Sequence, residues 1–116
     1  ADLAWNQGIR GQGVTVGIMD SAVDASHPAL KRKFKGYDQS SDRVNFNDSN
    51  YFDAIQGKQD TSGVLDMAHG SHCTGIVLGS ELNSNGEEFN RVGVAPDAQW
   101  INARIFDSNY KNNQVL

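Results

Sequence analysis

The chain has 116 residues, of which 21% are charged, and a formal net charge of −4; this is one domain at most, with enough chain to bury a core. The acidic balance, with no basic stripe, excludes an electrostatic grip on nucleic acid or on an anionic membrane surface. No apolar run approaches the ~20 residues of a membrane-spanning helix, and a single cysteine, Cys73, excludes an internal disulfide.

The N-terminus, Ala1-Asp2-Leu3, does not show a signal-peptide pattern, so the chain is expected to begin as a mature or trimmed product would. Residues 1–9 carry Leu3, Ala4 and Trp5 and read as a short amphipathic turn or helix that stops at Gly8. Val14-Thr15-Val16-Gly17-Ile18-Met19 is a nearly continuous β-branched and apolar run, the pattern of a parallel strand buried on both faces. It ends at Asp20. The crevice beyond the carboxyl ends of strands is where open α/β sheets build their sites, so Asp20 is either a site carboxylate or the cap of the turn that begins at Ser21. Ser26-His27-Pro28 forces extended backbone before the proline, and His27 is read as structural. The cluster Lys31-Arg32-Lys33 with Lys35, interrupted by Phe34, reads as a solvated face.

Phe34 to Tyr37 is a candidate second strand, and 38–63, rich in Ser, Asp, Asn and Gly, reads as a long surface excursion. Asn45, Asn47, Asp48 and Asp53 are cation-ligand types, but their spacing does not follow the twelve-residue calcium loop, which favours a plain loop. Residues 79–91 form a second polar connection, closed by Gly93-Val94-Ala95-Pro96. Residues 99–106 alternate toward a strand with apolar mass on both faces. Strand, helix and strand joined by polar crossovers make an α/β pattern.

The helix is predicted over 67–78. It opens on His69-Gly70-Ser71-His72-Cys73-Thr74-Gly75, mostly small side chains that permit close packing, and turns apolar at Ile76, Val77 and Leu78. Imidazole accepts and returns a proton near neutral pH, so His69, near the start of this helix, is a candidate acid–base group, and Asp20 a candidate carboxylate to fix its tautomer. Their side chains are expected within about 2.6–3.2 Å of one another. Cys73 is expected to be a buried, inert thiol near His69. A competing reading takes Asp20, His69, His72 and Cys73 as metal ligands.

Asp20-Ser21-Ala22-Val23-Asp24 with His27-Pro28, then 69–75, then Gly93-Val94-Ala95-Pro96, resemble in order the aspartate, histidine and post-histidine motifs of the subtilisin-like serine proteases, the subtilases. The resemblance covers about 11–106, with 38–63 as an insertion. It implies that 1–116 is the N-terminal part of a peptidase domain with a three-layer α/β fold and a mostly parallel sheet. It further implies a serine endopeptidase with Asp20 as orienting carboxylate and His69 as general base. The family's serine, in a Gly-Thr-Ser-Met motif, and its oxyanion asparagine lie downstream of anything in this chain, and none of Ser21, Ser26, Ser71, Ser80 or Ser84 sits in a nucleophile elbow.

The implied partners are a protein or peptide substrate, with 109–113 beside its extended strand, and the remainder of the domain or another chain to cover apolar strands; nucleic acid and membrane are not among them. No cofactor is implied for the chemistry. Ala29 stands where many relatives place a calcium-binding aspartate, so the usual calcium site lacks a ligand, and Ala22 replaces a family glycine. The implied setting is extracellular or cell-surface, and the alternative to an enzyme is a non-catalytic, subtilase-like binding or regulatory module.

Overall fold

A computed structural model of the chain describes residues 1–107; the predicted substrate-side segment at 109–113 lies outside the described residues. The architecture is α/β. Helix α1 (Asp2–Asn6) leads into strand β1 (Thr15–Asp20), followed by short strands β2 (Tyr37–Asp38), β3 (Arg43–Val44) and β4 (Tyr51–Asp53), helix α2 (Ala68–Leu78), strands β5 (Glu81–Leu82) and β6 (Glu88–Phe89), and β7 (Gln99–Arg104). The main sheet is parallel, in the order β1-β7-β4, with Ile18 opposite Asn102, Asp20 opposite Arg104 and Tyr51 opposite Asn102. Strands β2–β3 and β5–β6 form two small antiparallel ribbons.

β4 corrects the sequence reading. The 38–63 segment is not all surface, because Asn50, Tyr51 and Asp53 are buried and the segment contributes the third strand of the sheet. Three residues are too few to show a strand period. The core gathers Ile18, Leu30, Phe34, Tyr51, Leu78 and Trp100 on the α2 side of the sheet. Aromatic rings hold much of it: Phe34 stacks at 4.5 Å from Trp100 and 5.5 Å from Phe46, which meets Tyr51 edge-on. The Trp100 indole N–H donates to the Leu30 carbonyl, so burying this residue leaves no polar atom stranded.

α2 buries Gly70, Thr74 and Leu78, residues four apart that form one stripe. Its last carbonyls, which no helical N–H can reach, are taken by the following motif: Val94 N donates to Ile76 O, Ala95 N to Val77 O and Gly93 N to Gly79 O. A Cβ at Gly93 would stand 2.3 Å from backbone atoms of Leu78 and Gly79, so only glycine passes there.

The opposite sheet face is open among the described residues. Met19 is 72% and Phe52 43% exposed, and Ala103, their register neighbour, is half-buried. The expectation of a strand buried on both faces therefore holds on one face only, since α2 packs against that side alone.

The basic cluster also departs from a solvated face. Lys33 is buried, donating to Leu78 O and to Ser80 Oγ at 2.6 Å, and Arg32 reaches Ser80 O at 2.8 Å. Ser80 Oγ in turn donates to Glu88, which Arg10 grips at 2.6 Å while also pairing with Asp97. Burial lowers the Lys33 ammonium to about 8 from 10.5, with Arg32 adding to the effect. For Glu88 burial acts upward, but the hydrogen bonds from Arg10 and Ser80 outweigh it and hold the carboxyl below its usual range. Across the sheet, Arg104 bridges Asp53 at 2.9 Å and Asp107 at 2.8 Å, with Arg104 and Asp53 almost wholly buried.

Two outcomes follow. Between pH 8 and 10.5 the unfolded chain binds more protons at Lys33 than the folded one, so stability rises with pH through that window; Lys33→Met should abolish that rise in denaturant titrations run at several pH values. Asp53→Ala leaves the Arg104 guanidinium buried with half its partners and should cost about 3 kcal/mol in chemical unfolding.

Candidate active site

The site is built where β1 ends. Asp20 is the last residue of β1 and His69 the second residue of α2, and the packing of α2 on β1 brings the two together across 49 positions of sequence. The helix can come this close because position 70 is glycine. A Cβ there would stand 2.6 Å from Ser21 O and 2.7 Å from Ala22 O, inside contact distance. In place of a side chain, Gly70 presents its N–H, which donates to Ser21 Oγ at 2.8 Å.

His69 Nδ1 lies 2.8 Å from Asp20 Oδ1, within the predicted range. With Nδ1–H donating to the carboxylate, the ring carries its free lone pair on Nε2. The two groups differ in exposure: the Asp20 side chain is 12% exposed and that of His69 55%. A carboxylate sunk in the protein therefore holds an imidazole whose outer side is open to solvent. The same Asp20 oxygen also accepts the N–H of the next residue, Ser21, at 2.5 Å, so this one oxygen meets both the loop backbone and the imidazole. Phe106 packs edge-on against the imidazole with centroids 5.4 Å apart, a contact absent from the sequence reading.

Cys73, one helical turn on, has Sγ 3.8 Å from His69 Nδ1. It is half-buried, not fully buried as expected, because its face of α2 borders the open side of the site. Burial pushes the thiol pKa up, and the nearby Asp20 carboxylate adds to the shift. Ligand atoms of Asp20, His69 and Cys73 all lie within 4.8 Å of one another, while His72 stands outside this group. Of the four residues in the metal reading, three are thus gathered, and two of those already satisfy each other.

Three of the candidate serines have structural partners. Ser21 Oγ donates to Ala22 O, Ser26 Oγ to Asp24, and Ser71 Oγ accepts from Asp24 N. Among the described residues no hydroxyl is bonded to His69. The loop after β1 also depends on Asn102 of β7, whose amide contacts Ile18 O, Ser21 O and Val23 N. The sequence reading missed it, although an amide within the apolar run 100–103 is a visible anomaly. Ala22, at a position where the resemblance implies glycine, is fully buried and is not among the residues of positive φ. Its backbone is one that any residue adopts.

The sequence pattern of the subtilase family, Peptidase_S8, matches residues 11–116. The chain belongs to the subtilase family. It is 40% identical over 106 residues to bacillopeptidase F of Bacillus subtilis, covering 91% of this chain and 7% of that protein. The minor extracellular protease Vpr of the same organism is 35% identical over 108 residues, covering 90% of this chain and 11% of that protein. Other subtilase relatives are named as intracellular serine proteases. The serine protease of Aeromonas sobria, solved with its chaperone, has the same fold, with a TM-score of 0.59, 24% identity, and coverage of 90% of this chain and 15% of that one. The subtilase chain described here therefore spans only a small part of the length of these relatives.

Cys73 offers a direct check on the site. With its thiol pKa raised and half-buried, it should react slowly with bulky maleimides at pH 7. Because Cys73 is not the group that pairs with His69 Nδ1, Cys73→Ala should leave the fold intact and shift the thermal midpoint by only a few degrees, as circular dichroism melting would read.

Proposed function

We propose that this chain supplies the aspartate and histidine of a subtilase serine endopeptidase, as the N-terminal part of a peptidase domain whose serine lies beyond residue 116. The observation that carries the reading is the 2.8 Å contact between a buried Asp20 carboxylate and a half-exposed His69 ring at the carboxyl end of a parallel strand. In this reading Asp20 holds His69 with Nδ1 protonated, leaving Nε2 to take the proton of a serine hydroxyl as it attacks a peptide carbonyl. The same nitrogen then returns the proton to the departing amine. Asp20 stabilises the imidazolium formed between the two steps and is not itself protonated. The reaction needs no cofactor.

The partners in this reading are a protein or peptide substrate and the remainder of the domain, which would cover the open face around Met19 and Phe52. The compartment assigned with it is extracellular or cell-surface, supported by the name of the Vpr relative. No helix among the described residues is long and apolar enough to cross a membrane.

The test is expression of the chain together with its downstream sequence. The longer protein should cleave peptide substrates and lose activity to phosphonyl or sulfonyl fluorides, and His69→Ala should lower kcat by about 10⁴–10⁶-fold. The 116-residue chain alone should show no cleavage. A folded longer protein without His69-dependent hydrolysis would overturn the enzymatic reading in favour of a binding or regulatory module.

A further inference from the structure

The turn that follows Asp20 poses a problem of hydrogen bonding. Residues 20–23 are buried, with Ser21 and Ala22 fully so, yet beyond Asp20 they belong to no strand or helix that would pair their backbone groups. Buried peptide groups without partners cost about 1–3 kcal/mol each, so side chains must take the place of a ladder. Asp20 Oδ1 accepts from Ser21 N and Ser21 Oγ donates to Ala22 O, and two further groups are met by Asn102. It stands in β7 opposite Ile18, on the sheet face shared with Asp20, and is 4% exposed. Its Nδ2 donates to Ile18 O at 2.9 Å and to Ser21 O at 3.3 Å, and its Oδ1 accepts from Val23 N at 3.2 Å. One planar amide thus spans the segment from two residues before Asp20 to three after it.

We propose that Asn102 is a positioning residue for the catalytic pair, clamping the backbone on both sides of Asp20 so that its carboxylate stays aimed at His69. This rests on the proposed catalytic reading of Asp20 and His69. The chemistry of the position is selective. Leucine has similar volume but would leave Ser21 O and Val23 N unpartnered, whereas aspartate would turn an acceptor toward two carbonyl oxygens. Among the described residues no other side chain is hydrogen-bonded to the backbone on both flanks of Asp20. Ser21 Oγ serves Ala22 O and Gly70 N, and Ser71 Oγ serves Asp24 N, all on the downstream side. A loosened turn would let Asp20 retreat, and a displacement on the order of 1 Å in a reacting constellation costs about 10²-fold in rate.

The experiment uses the longer protein with its downstream sequence and compares Asn102→Leu, the milder Asn102→Ser and a core control, Leu30→Val. Two quantities are read: steady-state kinetics on a peptide substrate, and the low-field proton NMR signal of the imidazole N–H held by a carboxylate. Asn102→Leu should lower kcat by about 10–100-fold with KM changed less than about twofold, and should broaden or abolish the low-field signal. Asn102→Ser should show the same pattern to a smaller degree, which keeps the comparison available if the leucine variant does not fold. Leu30→Val should lower thermal stability while leaving kcat and the signal intact. Folded Asn102 variants with an unchanged low-field signal would overturn the proposal. If the parent protein shows that signal but no peptidase activity, the catalytic reading fails, and the signal's loss or persistence in the variants still decides whether Asn102 positions Asp20.

Discussion

The arrangement depends on one close approach, that of the first turn of α2 to the backbone after β1. Gly70 lies so near Ser21 and Ala22 that a single added carbon would collide with two carbonyl oxygens. Because the helix sits this low, His69 needs no long reach to meet Asp20, and the Gly70 N–H, an orphan donor of the helix start, finds Ser21 Oγ. A methyl group here would lift the helix end and separate the pair. Gly70 is thus a spatial requirement of the site more than a helical preference; glycine disfavours helix by about 1 kcal/mol.

Around this contact, the protein places several polar groups in its interior. Lys33, Asp53, Asn102, Arg104 and Ser80 are all buried, and each is tied to a named partner. Such networks specify a geometry even where their net contribution to stability is small, because a shifted alternative would leave charges or amides unpaired. The Lys33–Ser80–Glu88–Arg10 chain joins the end of α2 to the β5–β6 ribbon and to the segment before β1. The Arg104 bridges fasten β4 to β7 on the other side of the site. The Asp20–His69 contact lies between two sets of polar anchors.

Much of this was legible in the sequence, for reasons that differ from element to element. β1 and β7 announced themselves through continuous apolar content, and α2 through small residues passing into an apolar tail. Asp20 and His69 were legible because chemistry-bearing residues stood at the boundaries of those elements. β4 was not, since its role in the sheet comes from pairing with β7 and its three residues sit in a polar segment. Lys33 misled for the opposite reason. A basic cluster is ordinarily solvated, and only the tertiary placement of Leu78 O and Ser80 gives the buried ammonium its partners. The exposure of Cys73 turned on which side of α2 faces the cleft, which a helix with so little amphipathic contrast does not reveal.

The parallel pairing of β1 with β7 has a kinetic side. Thr15 lies opposite Gln99, so the central pair of the sheet closes only after 83 intervening residues have been made and brought round. The β5–β6 ribbon and the turn at 31–33 are local and can form within microseconds. The β1–β7 ladder carries a long loop-closure entropy and belongs to the slow class of contacts. On the ribosome, Asp20 emerges long before the Asn102 that braces its backbone. The Asp20–His69 contact is therefore assembled late, as the sheet closes, which separates the appearance of this geometry in time from the synthesis of the residues that carry it.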